Sequence, residues 1–531
     1  MQPWIRIRNQ LYRRLEAHVR LLLGQESKGL TRYRKNYDHE FARKPKVSSR
    51  EQLVEEISRS SVILIGDFHA LQQSQKAQLR ILKSIPNQRR IVLAAEFFEA
   101  RHQKILDQFV SGQVSESDFL KAIQWQKAWG FPWEHYRPLI RWAMKRKVRV
   151  VGINKKTKNR SITTLAQRDQ FAAQKIAEIR HKVPDHLVVC IYGDLHLAAP
   201  HLPRQIERLL SGQSERLLTI FQNSEKLYFQ LLEKGLELEV DVVRLSKNQF
   251  CLLNVPPWVK WQNYLLFLEN HLDQEIRDGS DYHDEVQNYL QILEHDLAVK
   301  VPLGSYSVAS AQERHFWDQV SQKFSEKDRK FLQGWVEKGA SFYLPELQSG
   351  FLARPSVNHA AQLASGILHA HMSDWKTTPV KMPDDFLKLI WIETVQYFGT
   401  KLINPKRKTD TLQDIKASLA VRLPDDLGKE ALQLALGQKM NELLAISGQG
   451  LKRPLIQPRK MSSYHEAARL LGGMLGEKLF LGYHQKALSK ETVVGLIRRP
   501  VEEDSFRLFY YEVLELIESL PEPFLSKNEK L

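Results

Sequence analysis

Cysteine is nearly absent from this chain, with only Cys190 and Cys251 among 531 residues. That count excludes a disulfide framework, and both residues lie inside apolar runs, where a thiol behaves as a small buried hydrophobe. A reducing compartment fits. No window approaches the roughly 20 apolar residues that a membrane-spanning helix needs. Low-complexity tracts and a collagen-like period are missing, and 43% hydrophobic with 26% charged residues excludes a disordered chain. The first residues, Met1 to Arg8, lack the apolar core and small-residue cleavage site of a secretory signal. The expected location is therefore the cytoplasm.

An excess of acid is also missing. Lys and Arg number 78 against 61 Asp and Glu, a net charge of +17. Such a balance suits either an anionic partner or simply a basic soluble surface. Residues 4–23 read as a basic amphipathic helix: Trp4, Ile5, Leu11, Leu15, Leu22 and Leu23 share a broad face, and Arg6, Arg13, Arg14 and Arg20 are its polar members. A helix of this kind either docks on its own domain or lies peripherally on an anionic membrane. Basic clusters at Lys401 with Lys406-Arg407-Lys408, and at Lys452-Arg453 with Arg459-Lys460, are able to touch phosphates, but no nucleic-acid motif accompanies them. Solvated loops are the simpler reading, and no specific nucleic-acid partner is expected.

A chain this long predicts more than one core. Residues 1–48 read as the basic helix and a linker, since 26–50 show little periodicity. Residues 49–258 alternate β-rich runs with helical stretches, which predicts an α/β domain with a mainly parallel sheet. The runs are 61–65, 91–95, 148–153, 187–192 and 217–221, near-continuously apolar as strands buried on both faces require. An insert at about 99–147 predicts a helical cap. It holds the run Trp125 to Trp133, with three tryptophans, as cap core or as the wall of a flat ligand. From 259 to 531 the periodicity is helical, predicting an all-α C-terminal domain, in which Leu471-Gly-Gly-Met-Leu-Gly476 allows close helix packing. His369 and His371 are two apart and so fall on different helix faces; with His359 they make no joint metal site.

Chemistry gathers where the strands end. The first finishes in Gly66-Asp67-Phe68-His69, the second in Glu96 with Glu99 close behind, and the third in Asn154. The fourth finishes in Gly193-Asp194-Leu195-His196 and the fifth in Gln222-Asn223. Ligands of open α/β sheets bind at the carboxyl ends of strands. The glycines are expected to let the backbone leave the strand in a conformation other residues avoid. The aspartates would cap a helix or orient an imidazole, and each histidine offers a nitrogen for a metal or a proton. Two histidines and Glu96 make a plausible first shell for a divalent metal.

The paired Gly-x-x-His turns, Glu96 after its strand, and the run Trp129-Gly-Phe-Pro-Trp-Glu-His-Tyr-Arg137 resemble the ChaN-like domain, termed haem-binding uptake, of the Tiki/TraB superfamily. Erythromycin-esterase-like enzymes are relatives. The resemblance spans roughly Ser61 to Gln222 and implies a site built on His69, Glu96 and His196, with Arg168 of the Arg168-Asp169 pair as a candidate for an anionic or carbonyl group. Asp67 stands where family members often carry glutamate. The resemblance implies haem or iron-cofactor binding. A haem needs an axial histidine or tyrosine, for which Tyr192, His102 and His135 stand beside the two turns. The alternative is a metal-dependent hydrolase in which His69 and His196 hold a divalent transition metal, Asp67 or Glu99 supports them, and Glu96 is ligand or base. A non-enzymatic scaffold binding an anionic surface is the third reading.

Overall fold

The computed structural model describes residues 3–24, 26–42, 45–155, 162–211, 215–272, 283–302, 304–310, 313–354, 356–420, 426–449 and 454–520. It divides into two compact units, residues 1–272 and 273–530.

The first unit begins with helices α1 (Pro3–Leu23) and α2 (Lys28–Glu40) and the short strand β1 (Lys46–Ser48). Helix α3 (Arg50–Arg59) starts on a capping box, in which Ser49 and Gln52 satisfy each other's backbone N–H. Then come β2 (Val62–Asp67), α4 (Gln72–Ser84) and β3 (Ile91–Glu99), followed by α5 (Gln103–Val110), α6 (Glu116–Ala122), α7 (Trp125–Ala128) and α8 (Trp133–Lys145) of the cap. The unit continues through β4 (Arg149–Asn154), α9 (Ile162–Lys182), β5 (Leu187–Gly193), α10 (Leu202–Leu209), β6 (Leu217–Gln222) and α11 (Glu225–Glu233). It closes with β7 (Val242–Ser246), β8 (Gln249–Leu252) and α12 (Pro257–Leu272).

Eight strands form one sheet in the order β1-β7-β8-β6-β2-β5-β3-β4. The six from β8 to β4 run parallel, and β7 and β1 close one edge antiparallel. Both faces are covered, which is why the strands are apolar throughout. Ile63 and Ile65 of β2 enter the core shared with α3, α4 and the cap. Val62 and Leu64 enter the opposite core, with Ala172 and Ile176 of α9, Ile206 of α10 and Leu231 of α11.

Residues 26–50 differ from the linker that their weak periodicity suggested. Helix α2 is mostly polar, but Tyr33 and Tyr37, one turn apart, are buried at 4% and 6% exposure. Two aromatic anchors suffice to dock a short helix, and they are too few to register as an apolar stripe. Helix α1 packs on α12 and buries Ile5, Leu11, Leu15 and Val19. Its Leu22 is half-buried and Leu23 exposed, while the side chain of Trp4 lies outside the described residues.

In the second unit, helices Val357–Ser373, Phe386–Ile403 and Ser462–His484 pack together. Gly472 and Gly476 permit the close approach expected of them: a Cβ there would come within 2.6 Å of Glu393 and of the Thr394 carbonyl. His369 is fully buried and His371 exposed, as their spacing requires. Helical periodicity does not reveal one small sheet, in the strand order Phe342–Leu344, Ser349–Leu352, Ser307–Ser310. These strands are three or four residues long, too short for an alternating pattern to stand out. Of the basic loop residues, Lys452 and Arg453 lie outside the described residues. Among the described residues, no helix is long and apolar enough to cross a membrane.

Candidate functional site

Strands β2, β5 and β3 are neighbours, so the turn after β2, the turn after β5 and Glu96 of β3 open on the same carboxyl edge. Gly193 marks the point of convergence. A Cβ added there would lie 3.3 Å from Glu96 Oε2, 3.3 Å from His196 Cδ2 and 3.5 Å from His69 Nε2. The sheet thus brings His69, Glu96 and His196 together.

The first turn is held rigidly. Asp67 Oδ1 accepts hydrogen bonds from Gln75 (2.5 Å) and Gln78 (2.9 Å) of α4, and Oδ2 accepts from Tyr136 of α8 at 3.0 Å. Oδ2 also meets His69 Nδ1 at 2.8 Å, which leaves Nε2 as the nitrogen not committed to the aspartate. Burial alone would raise the Asp67 pKa, but the His69 charge and these hydrogen bonds outweigh it and hold it below the ordinary value. Burial alone would lower the His69 pKa, and the Asp67 and Glu96 carboxylates push it up instead. Both Asp67 oxygens are thus engaged within the protein.

The second turn works differently, although its sequence is nearly the same. Asp194 does not orient His196. Its carboxylate receives the Tyr37 hydroxyl and, at 3.1 Å, the Gln222 backbone N–H. Burial raises its pKa to about 7, against the lowering effects of the Tyr37 hydrogen bond and the Lys260 charge. The role of the glycines also differs from expectation. Neither Gly66 nor Gly193 has positive φ, and both are strand residues. Space decides Gly66, because a Cβ there would fall 1.6 Å from Asp194 Oδ1. The glycine of one turn makes room for the aspartate of the other.

His196 takes its orientation from Asp169 on α9, with Nδ1 2.6 Å from Oδ1. Tyr33 of α2 donates to the other Asp169 oxygen, lies 3.1 Å from His196 Nδ1 and stacks on His201 at 3.4 Å. Glu96 accepts from Arg168 on one oxygen and from the Gly193 N–H at 2.5 Å on the other. Burial would lower the Arg168 pKa, and Glu96 raises it, so the guanidinium stays charged.

The remaining candidates divide. Tyr192 is fully buried; its ring stands 5.0 Å from that of His196, and its hydroxyl has no hydrogen-bond partner. Burial and the nearby Glu96 push its pKa well up. Glu99 pairs with Arg101 at 2.6 Å, and Asn223 caps the turn at Asn254 and Val255. His135 of α8 is partly buried, and burial lowers its pKa despite a hydrogen bond to the His69 backbone. His102 is partly buried in a short turn before α5, and Asn154 ends β4 beside Glu99. The aromatic run is divided between two environments. Trp125 and Trp133 form cap core, whereas Trp129 and Phe131 flank the His69 ring at 4.7 and 4.9 Å. The sequence pattern missed Tyr33, Tyr37, Gln75 and Gln78; the only available signal was their spacing of three or four, which puts each pair on one helix face. Among the described residues, no group of three or more His, Cys, Asp or Glu side chains is placed to hold a metal ion.

Residues 53–164 match the family model described as haem-binding uptake, Tiki superfamily, ChaN. That stretch of the first unit is similar to a ChaN-like domain. The matched stretch includes the His69 turn, Glu96 and the cap, while α2 and the His196 turn lie outside it. A solved structure described as "Cofacial heme binding to ChaN of Campylobacter jejuni" is similar at 16% identity, covering 39% of this chain and 92% of that one, with a TM-score of 0.28. A comparison with curated proteins gives no match.

Proposed function

We propose that the ChaN-like domain binds haem through the His69 face of the site. The carrying observation is His69 itself. Its Nδ1 is tied to Asp67, and its side chain remains 25% exposed between Trp129 and Phe131. A haem site needs an axial nitrogen or phenolate oxygen and flat apolar walls, and this arrangement has the nitrogen and the walls. His196, at 9% side-chain exposure, and Tyr192, fully buried, are less accessible. Haem bound there would supply iron as the acceptor for His69 Nε2. Asp67 would keep that imidazole oriented, and Arg168 with Glu96 would set the polar floor. Titrating the purified protein with haem tests the reading. A shifted haem absorption band that is lost in His69→Ala and weakened in Trp129→Ala is expected; an unchanged band at micromolar protein refutes it.

A second reading, hydrolysis, is favoured by one observation. Two Asp–His pairs and Glu96 face one point, and such pairs serve general acid–base chemistry. In the metal-dependent form of this reading His69 and His196 would be the ligands, because Asp67 is engaged and Glu96 already holds Arg168 and Gly193. Turnover of simple esters that disappears in both His69→Ala and His196→Ala, with elemental analysis of the same sample, separates this reading from haem binding.

A further inference from the structure

The cap holds a cavity of about 280 Å³ that the His69 face does not use. Helix α8 supplies most of its wall. Trp133, Arg137, Ile140, Arg141 and Met144 recur at the spacing of one helical face, and all five line the cavity. Phe109 of α5 and Val114, in the loop between α5 and α6, complete its apolar lining. His69, Trp129 and Phe131 do not line it. The Trp125 ring lies 5.0 Å from that of Trp133 and 6.5 Å from that of Trp129, so a layer of indole core links this cavity to the His69 wall.

The polar groups of this lining are donors short of acceptors. Trp133 Nε1 and Arg137 Nε are buried and have no hydrogen-bond partner. Indole and guanidinium nitrogens can only donate, and a buried N–H left unpaired is costly. Arg137 holds Glu116 through Nη2 at 2.8 Å, with Glu134 at 3.9 Å, so the carboxylate that lines the cavity is already neutralised. Arg141, one turn after Arg137, is exposed, and among the described residues it forms no ion pair. An apolar floor thus meets two unfilled N–H donors and one unpaired cation. A carboxylate on an apolar body suits all three. Its body displaces water from Phe109, Ile140 and Met144, and its planar oxygens accept from guanidinium N–H groups. The volume is at the lower end for ligand sites, which limits that body to a short alkyl chain or a small ring system.

We infer that this cap cavity binds a small apolar carboxylate, its charge held by Arg141 and Arg137 and its body by Phe109, Ile140 and Met144. Isothermal titration of the full chain with octanoate should give saturable binding with a Kd of about 1 mM or tighter. The uncharged 1-octanol should bind at least about tenfold more weakly. Val114→Phe fills the cavity from a half-buried loop position, and Arg141→Gln removes the exposed cation, so both variants should keep the parent's thermal melt. Each should weaken octanoate binding at least about tenfold. 2-Naphthoate forms a second arm: binding tighter than octanoate assigns the body to a ring system, and weaker binding assigns it to an alkyl chain. No saturable binding of either acid, octanoate binding unchanged in either variant, or octanol binding as tightly as octanoate overturns the inference.

Discussion

Adding one methyl group at Gly66 tests whether the two turns are locked together by space. An ideal Cβ at this position lies 1.6 Å from Asp194 Oδ1 and 2.7 Å from Asp194 Cγ, so the carboxylate must leave. Moving it breaks the hydrogen bonds from Tyr37 and from the Gln222 N–H, both in the interior. Overpacking of a dense core costs about 1–3 kcal/mol, and each hydrogen bond to a charged group contributes about 1.5–3. Gly66→Ala should therefore lose about 4 kcal/mol or more in urea denaturation of the first unit. Shortening the obstructing side chain relieves the clash, so Asp194→Ala and Gly66→Ala together should cost less than the sum of the two alone. A coupling of about 2 kcal/mol is expected in that cycle. A Gly66→Ala protein within about 0.5 kcal/mol of the parent, or strictly additive variants, would refute the steric account.

Two further outcomes follow from the second unit. His369 is fully buried with neither ring nitrogen partnered, and burial lowers its pKa from 6.5 to about 3. The unfolded chain takes up that proton first, so the contribution is complete above the free value and is lost as pH falls, at about 1.4 kcal/mol per pH unit. His359, lowered to about 4, acts in the same sense. Urea midpoints should fall between pH 6.5 and 4, and His369→Leu should remove one proton from that dependence; an unchanged slope counts against it. Lys401 and Glu477 form a buried pair, at 1% and 2% side-chain exposure. Glu477→Gln leaves the ammonium unpaired and should cost about 3–5 kcal/mol in a thermal melt, with Lys401→Met/Glu477→Leu recovering much of it.

The sequence by itself determined the parallel strands, the cap and the positions of His69, Glu96 and His196. These follow from local pattern: apolar runs need two covered faces, and ligating side chains at strand ends need a shared edge. It also placed Trp129 and Phe131 in a run able to serve as wall or core, without choosing between them. Only the tertiary structure decided what each aspartate does. Asp67 orients its own histidine, yet Asp194 in the same motif reaches Tyr37 and Gln222, and His196 is oriented by Asp169 from another element. The strand order sets β5 beside β2, so the Asp194 carboxylate occupies the space above Gly66, and no local pattern encodes that neighbour. Helix α2 escapes the local pattern for the same reason: Tyr33 and Tyr37 are two aromatic residues in a polar segment, and their burial depends on carboxylates more than 130 residues away in the chain.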